Sequence, residues 1–239
     1  MAITRGPNIV RDDLVLCLDA KDPNSYPGSG STWYDLTPNQ QNGSLSGVTF
    51  NSAGYFDFDG TDDVVGPSTF DYDDSGGAFT VCAWVNPDTF TSSNSYLAII
   101  NRSDNSNHVF SVFIESSAGS GTTGEMSAWF FNTGGGSSQH KSNGNCVLNL
   151  NEWNFCVWRF ADSNGYTFDL NNSDGSVSYN DTSTASIRKD STNQYTIGRW
   201  RGGAYHFNGQ MGCVNLYNRK LSNAEVLQNY NSMKSRFGL

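Results

Sequence analysis

Apolar and polar residues alternate along much of the chain, in short stretches that end at turn-forming residues. In "YFDFDGTDDVV", phenylalanines alternate with Tyr and Asp from Tyr55 to Asp59. A period of two predicts a half-buried strand. The Asp59-Gly60 pair predicts a tight turn, because Asp bonds its own backbone there and Gly lacks a Cβ. Val64-Val65 then begin a second strand, so the stretch predicts a strand, an acidic turn and another strand.

Ten segments have the pattern of strands, bounded by residues that favour turns. They are Asp13–Ala20, Gly54–Asp59, Ala78–Asn86, Tyr96–Asn101, His108–Glu115, Glu125–Phe131, Trp153–Ala161, Tyr166–Leu170, Gln194–Arg199 and Gly209–Asn218. Their spacing predicts a sandwich of two sheets. Two of them, containing "FTVCAWV" and "NFCVWRF", are apolar on both faces, which indicates that both faces are covered.

The C-terminal region carries the one helix signal. Ser222 and Glu225 form the S-x-x-E pattern of a capping box. Apolar residues then recur at helical spacing, at Val226, Leu227, Tyr230 and Met233. The pattern predicts one short helix, from about Asn223 to Lys234, with an apolar stripe packed on the sandwich.

Size and composition favour a single domain and argue against a nucleic-acid partner. The 239 residues, 36% of them hydrophobic, suffice for one large core, and no linker divides them. We predict a domain over residues 12–239, preceded by an N-terminal arm over residues 1–11 that could insert into a partner. The net charge of -9 argues against a nucleic-acid partner, which would require clustered Lys and Arg.

The N-terminal sequence lacks the apolar segment of a secretory signal, and no stretch is long enough to span a bilayer. The sequence therefore predicts synthesis in the cytoplasm without export by a signal peptide. The cysteines are odd in number and lie in apolar, strand-like surroundings, which predicts buried, reduced thiols. They are Cys17, Cys82, Cys146, Cys156 and Cys213.

Several segments together resemble a known superfamily. They are "LVLCLDAKDPNSYPGSGSTWYDL", "YFDFDGTDDVV", "FTVCAWVNP", "EWNFCVWRF" and "FNGQMGCVNLYNRKLSNAEVLQNYNSMKSRFGL". They resemble the laminin-G-like, concanavalin A-like lectin/glucanase superfamily, over nearly the whole chain. The resemblance implies an all-β jelly roll of two antiparallel sheets. The first and last segments look like the version found in tailed-phage virion proteins.

The aspartates of the acidic turn have two interpretations, a structural turn and a calcium site. Some relatives bind calcium near such acids, and Asp59, Asp62 and Asp63 are the candidate ligands. An EF-hand loop starting at Tyr55 would place Gly60 correctly but would lack acids at its first and last positions. Calcium often recruits oxygens from separate loops, so both interpretations remain open.

Hydrolysis of glycans by relatives requires two carboxylates, which the glucanases carry as E-x-D-x-x-E on one strand. This chain has four glutamates, and none begins such a motif: Glu115, Glu125, Glu152 and Glu225. No G-x-S-x-G elbow is present either. We therefore predict that the protein is not an enzyme.

A comparison with pentraxin-like relatives suggests a ligand-binding loop. Asp104-Asn105 fall where those proteins carry a calcium-binding pair, but Arg199 and Arg201 replace their second cluster of acids. Cations there would repel calcium. The exchange leaves aromatic and polar groups suited to a sugar. The candidate ligand-binding residues are Asp104, Asn105, Trp200, Arg201, Tyr205 and His206. The alternative is that Trp200 packs in the core and Arg201 is a solvated charge.

The sequence thus predicts a non-enzymatic structural protein of a phage virion, as a capsid decoration, a fibre or a tail-associated component. Its expected partners are other virion proteins and a host-surface glycan. Any homo-oligomer would form through a globular surface, since no heptad repeat is present. The alternatives are an exported cellular carbohydrate-binding module and a glycan hydrolase.

Overall fold

The computed structural model describes residues 8–69, 77–103, 108–131, 136–162, 165–171, 174, 178–181, 194–200 and 203–239. These residues form sixteen strands and one α-helix, α1, at Asn223–Met233. The strands are β1 Leu14–Asp19, β2 Thr32–Trp33, β3 Gly43–Ser46, β4 Thr49–Asn51, β5 Tyr55–Asp59, β6 Val64–Thr69, β7 Ala78–Pro87, β8 Tyr96–Ser103, β9 His108–Glu115, β10 Met126–Phe131, β11 Ser137–Lys141, β12 Asn154–Ala161, β13 Gly165–Leu170, β14 Tyr179–Asp181, β15 Gln194–Ile197 and β16 Asn208–Tyr217.

The strands form two antiparallel sheets. The first sheet has the order β14-β13-β12-β7-β16-β5-β4, and β1 pairs with the C-terminal part of β16, beyond β5. The second sheet has the order β11-β10-β9-β8-β15-β6-β3-β2. Strands distant in sequence are neighbours in both sheets, as in a jelly roll. The predicted all-β sandwich of two antiparallel sheets with a short C-terminal helix is confirmed.

Aromatic side chains fill much of the space between the sheets. Phe79 of β7 stacks on Phe110 of β9 with ring centroids 4.2 Å apart. Trp158 of β12 donates a 3.0 Å hydrogen bond from Nε1 to the carbonyl oxygen of Ser127 in β10. Because side chains alternate along a strand, the neighbours of these core residues point outward and form the outer face of each sheet.

The helix covers one end of the outer face of the first sheet. Trp84 of β7 is fully buried there, with its ring centroid 4.4 Å from Phe237 and 5.8 Å from Tyr230. Phe155 of β12 packs on the same indole at 4.9 Å. This second apolar layer explains why β7 and β12 are apolar on both faces.

The capping box predicted from the sequence starts α1. Ser222 Oγ accepts a hydrogen bond from Glu225 N at 3.3 Å, and Glu225 Oε2 accepts one from Ser222 N at 2.8 Å. The α-helix ends one residue before the predicted end, and the 3-10 turn Lys234–Phe237 continues it. No helix among the described residues is long and apolar enough to span a bilayer.

The described part of the predicted N-terminal arm lies against α1. Val10 is buried, and its backbone N–H donates to Asn229 Oδ1 at 2.8 Å. Gln228 Nε2 donates to the carbonyl oxygen of Asn8 at 2.8 Å. Residues 1–7 lie outside the described residues. The division into an arm over residues 1–11 and a domain over residues 12–239 stays a prediction.

The outer edge of β1 is occupied by residues of the following loop. Asp35 Oδ1 accepts a 2.9 Å hydrogen bond from Cys17 N, and Leu36 N donates to Cys17 O at 2.9 Å. The same carboxylate accepts from Thr37 N and Gln41 N, each at 3.0 Å. The two bonds at Cys17 satisfy backbone groups of β1 that no strand pairs with, and the bonds from Thr37 and Gln41 hold the Asp35 carboxylate in place.

All five cysteines are free and buried, as the sequence predicted. Burial, followed by the charge of Asp19, raises the pKa of Cys17 to about 12. Burial likewise raises the pKa of Cys82 and Cys146 to about 12. These thiols are therefore protonated at neutral pH and contribute to packing.

Candidate functional site

The acidic turn after β5 has the conformation that the sequence predicted. Asp59 Oδ1 accepts a 2.7 Å hydrogen bond from Thr61 N, and Asp63 Oδ2 accepts one of the same length from Asp59 N. Gly60 has a φ of 78°, in the left-handed region. A Cβ at this position would lie 2.8 Å from Asn208 Nδ2, so the turn also requires glycine for space.

The same turn brings the three candidate metal ligands together. Carboxylate oxygens of Asp59, Asp62 and Asp63 lie within 4.8 Å of one another. Burial, and then the charges of Asp59 and Asp62, raise the pKa of Asp63. The hydrogen bond from Asp59 N and the charge of His206 lower it by less. Hard carboxylate oxygens are the ligands that calcium prefers, although Asp63 Oδ2 already accepts a backbone hydrogen bond. Calcium takes 6–8 oxygens, so loops or water would have to complete the coordination shell around the three aspartates. Calcium binding stays a prediction.

The predicted ligand-binding loop is described in part. Asp104, Asn105 and Arg201 lie outside the described residues. Around them, Gly198 N donates to Ile99 O at 3.0 Å, and Phe207 N donates to Gly198 O at 2.8 Å, which closes the base of the loop. Trp200 N donates to Ala204 O at 2.9 Å within it. The loop is therefore tied to β8 at its base.

Two of the predicted residues lie on the outer face of the second sheet. The carbonyl oxygen of Tyr205 accepts a 2.8 Å hydrogen bond from Ala98 N, which draws the loop onto the sheet. The Tyr205 ring meets Tyr96 edge-on at 5.2 Å and Phe113 at 5.9 Å. Trp200 packs on Tyr205 at 5.4 Å and remains partly exposed. Trp200 thus packs against a hydrophobic cluster on the outer face of the second sheet, and its role in ligand binding stays a prediction.

His206 lies apart from this cluster in its interactions. Its Nε2 is 3.2 Å from the carbonyl oxygen of Gly203. Asn208, two residues further along the chain, donates from Nδ2 to Asp59 O at 2.9 Å, so His206 lies in the segment that leads to the acidic turn.

The sequence did not identify the rest of this surface. We define the aromatic face as Tyr96 of β8, Phe113 of β9, Trp129 of β10, and Trp200 and Tyr205 of the loop. Tyr96 and Phe113 are buried, whereas Trp129, Trp200 and Tyr205 are each partly exposed. Aromatic residues at outward positions of neighbouring strands were the available signal. The result is a half-buried platform at the centre of the sheet.

Polar groups adjoin the aromatic face. Gln139 of β11 donates from Nε2 to Glu115 Oε1 at 2.9 Å, and Lys141 Nζ lies 4.0 Å from Glu115 Oε2. Glu115 is completely buried, and burial raises its pKa. Hydrogen bonds and the charge of Lys141 offset part of that rise. Burial and the charge of Glu115 also raise the pKa of Tyr96. Glu115 thus orients the Gln139 amide beside the rings.

A family comparison agrees with this architecture. The family described as the concanavalin A-like lectin/glucanases superfamily matches residues 58–227, more than half of the chain. The chain belongs to the concanavalin A-like lectin/glucanase superfamily. A comparison with curated protein sequences gives no match.

Solved structures share the superfamily fold at low sequence identity. The botulinum neurotoxin serotype G binding domain is 15% identical, with a TM-score of 0.66, covering 91% of this chain and 50% of that one. The sialidase of Trypanosoma rangeli in complex with sialic acid is 15% identical, with a TM-score of 0.61, covering 95% and 34%. The receptor-binding domain of the botulinum neurotoxin C/D mosaic serotype has 14% identity, a TM-score of 0.63, and coverage of 92% and 51%. The chain spans about half or less of these proteins, which show the fold alone.

Proposed function

We propose that the protein is a non-enzymatic, lectin-like module that binds a host-surface glycan on the aromatic face. The observation that carries this proposal is the partly exposed group Trp129, Trp200 and Tyr205 on the outer face of the second sheet. Aromatic rings pack on the C–H surfaces of sugars, and Gln139 and Lys141 supply donors for hydroxyl groups. The low charged fraction of the chain, 15%, suits a neutral polar ligand.

The placement of the glutamates supports a binding role over hydrolysis. Glu115 and Glu125 are buried, and Glu125 accepts hydrogen bonds from Thr122 N and Gly144 N, each at 2.7 Å. A Cβ at Gly121 would lie 2.2 Å from Glu125 Oε1 and 2.9 Å from Glu115 Cγ, so the loop lies directly on both side chains. A glycosidase needs its two carboxyl groups on either side of the scissile bond, a placement that does not suit the enclosed pair Glu115 and Glu125.

The proposal includes a place on a phage particle, as a capsid decoration, fibre or tail-associated protein made in the host cytoplasm. Its support is the resemblance of the first and last segments of the domain to phage virion proteins. Many copies on one particle would multiply a weak glycan affinity by about 10²–10⁴. Electron microscopy of virions labelled with an antibody against this chain tests the location. Absence of label on purified particles would favour a cellular carbohydrate-binding module.

Glycan binding is tested with a multimeric display of the protein on host cells and on a glycan array. Each of Trp129→Ala and Trp200→Ala should lower the affinity about two- to tenfold, because each removes one ring contact. Tyr34→Ala is the matched control, because Tyr34 is an exposed aromatic residue outside the aromatic face, at 44% exposure. Equal binding by both Trp variants and the wild type would contradict the proposal.

A further inference from the structure

The helix leaves one end of the outer face of the first sheet uncovered, and a second group of aromatic and polar side chains lies there. Its aromatic part is Tyr55 of β5 and Trp153, which precedes β12. Their rings meet edge-on, with centroids 5.6 Å apart and planes at 62°. Trp153 also packs on Phe237 at 4.6 Å, which fixes the indole at the border of the covered region. Both rings remain partly exposed.

A glycine makes this arrangement possible. Gly212 lies in β16, which pairs with the β5 strand of Tyr55, and β7 separates β16 from β12, which Trp153 precedes. A Cβ at Gly212 would lie 2.6 Å from Phe237 Cε1 and 3.5 Å from Trp153 Cζ3. Without a side chain at this position, the rings can lie across β16 and meet. We call Tyr55 and Trp153 the aromatic corner.

Beside the aromatic corner, three strands present a row of polar side chains. Asp57 of β5 pairs in register with Gln210 of β16, and Gln210 pairs with Asn86 of β7. Asp88 follows, and its Oδ1 accepts a 3.0 Å hydrogen bond from Gln210 Nε2. We call Asp57, Asn86, Asp88 and Gln210 the acceptor row. Asp57 lies two residues from Tyr55 on the same face of β5, and the hydrogen bond from Gln210 holds Asp88 in the same row.

The acceptor row has more acceptors than donors. Its two carboxylates accept only, and its donors are the side-chain amides of Gln210 and Asn86, of which Gln210 Nε2 is bonded to Asp88. The amide oxygen of Asn86 is shielded from solvent and accepts no hydrogen bond from any described residue. Within the described residues, no Lys or Arg forms an ion pair with Asp57 or Asp88. A ligand that satisfies this row must be rich in donors and positively charged.

We propose that the aromatic corner and the acceptor row form a second binding site, for a sugar that carries a free ammonium group, that is, a hexosamine that is not N-acetylated. The ammonium group supplies three donors and a positive charge for the two carboxylates. The C–H surface of the sugar ring packs on the aromatic corner, and a neighbouring hydroxyl group donates to the remaining carboxylate oxygens. An N-acetylated or acidic sugar lacks the charge that the site requires. This site does not depend on glycan binding by the aromatic face.

The experiment is an NMR titration of the ¹⁵N-labelled protein at pH 6, without calcium, following the indole N–H signals. Trp153→Phe assigns the signal of Trp153. A fully deacetylated glucosamine trimer should shift that signal and leave the signal of Trp200 in place. The N-acetylated trimer and ethanolamine, which supplies an ammonium group without a sugar ring, should cause no saturable shift. Binding of the N-acetylated trimer within twofold of the deacetylated one, or equal binding of ethanolamine, would overturn the proposal.

Variants separate this site from the aromatic face. Asp88→Asn, at an exposed position, should weaken binding of the deacetylated trimer about tenfold, because it removes one charge-assisted contact. Asp57→Asn should also weaken binding of the deacetylated trimer. Its melting temperature, compared with that of the wild type, shows that the variant is folded. Trp200→Ala should leave the titration unchanged even though it weakens binding at the aromatic face. Unchanged affinity in both Asp variants would overturn the assignment, whatever the outcome for the aromatic face.

Discussion

The hydroxyl group of Tyr217 donates a 2.9 Å hydrogen bond to the carbonyl oxygen of Val10, joining residues 207 positions apart. Tyr217 is fully buried at the end of β16, and its hydroxyl oxygen also accepts from Asn229 Nδ2 at 3.0 Å. One phenol thus links the N-terminal segment, the first sheet and α1.

We expect Tyr217→Phe to lower the free energy of unfolding by about 1–3 kcal/mol, because it leaves a buried carbonyl and a buried amide without a partner. Chemical denaturation measures the change. Tyr34→Phe, at an exposed position, serves as the control and should change little. A Tyr217→Phe protein as stable as the wild type would show that water replaces the hydroxyl.

A buried ion pair anchors the start of the helix in a similar way. Arg159 donates from Nε and Nη2 to the two carboxylate oxygens of Asp169, at 2.8 and 2.9 Å, and from Nη1 to Leu221 O at 2.8 Å. Asp169→Asn should destabilise the protein by about 3–5 kcal/mol, because the guanidinium stays buried without its counter-charge. Arg159→Met with Asp169→Leu should recover part of that loss. Equal instability of the single and double variants would contradict this explanation.

The helix cap makes stability depend on pH in the acidic range. Hydrogen bonds from Arg219, then the bonds to Ser222, lower the pKa of Glu225 from its usual 4.5 to about 2. A carboxyl group whose pKa is lower in the folded than in the unfolded protein stabilises the folded state. This contribution is complete above the pKa of the unfolded protein and is lost as the pH falls to the pKa of the folded protein. The melting temperature of the wild type should therefore fall between pH 4.5 and about 2. The melting temperature of the Glu225→Gln protein should fall less steeply over the same range. Parallel curves for the two proteins would assign the acid sensitivity to other carboxyl groups.

Calcium binding at Asp59, Asp62 and Asp63 is tested by thermal unfolding with and without the ion. A bound cation stabilises the folded state by mass action, so calcium should raise the melting temperature. Asp62→Asn should remove that rise without loss of basal stability, because Asp62 is exposed. EDTA should leave glycan binding at the aromatic face unchanged. A calcium effect that persists in the Asp62→Asn protein would place the ion elsewhere.

The strands found from the sequence are those with many residues and a clear pattern. All ten predicted segments are strands in the structure, with ends displaced by a few residues. The strands missed by the pattern are short or rich in Gly, Ser and Asn: β2, β3, β4, β11 and β14. Four residues such as those of β3, "GSLS", carry too weak a period to distinguish a strand from a loop. They are extended because their neighbours offer backbone partners.

The aromatic face was predicted only in its loop residues, because its strand residues meet through the order of the strands. The register shift between β8 and β9 lies beyond the pair Ala98 and Phe113, so it does not move the strand residues of this face. The structure brings Phe113 and Trp129 beside Tyr205 through sheet order, which no local pattern contains.

The way Asp35 occupies the outer edge of β1 limits how copies of this protein can assemble. An open strand edge is a template for intermolecular β-pairing, and proteins avoid unwanted fibres by blocking it. In this protein the Asp35 carboxylate and the backbone N–H of Leu36 bond to the Cys17 groups that an added strand would use. Any ring or lattice built from many copies must therefore join through side-chain surfaces or through another edge, which keeps a crowded array of identical subunits from polymerising at β1.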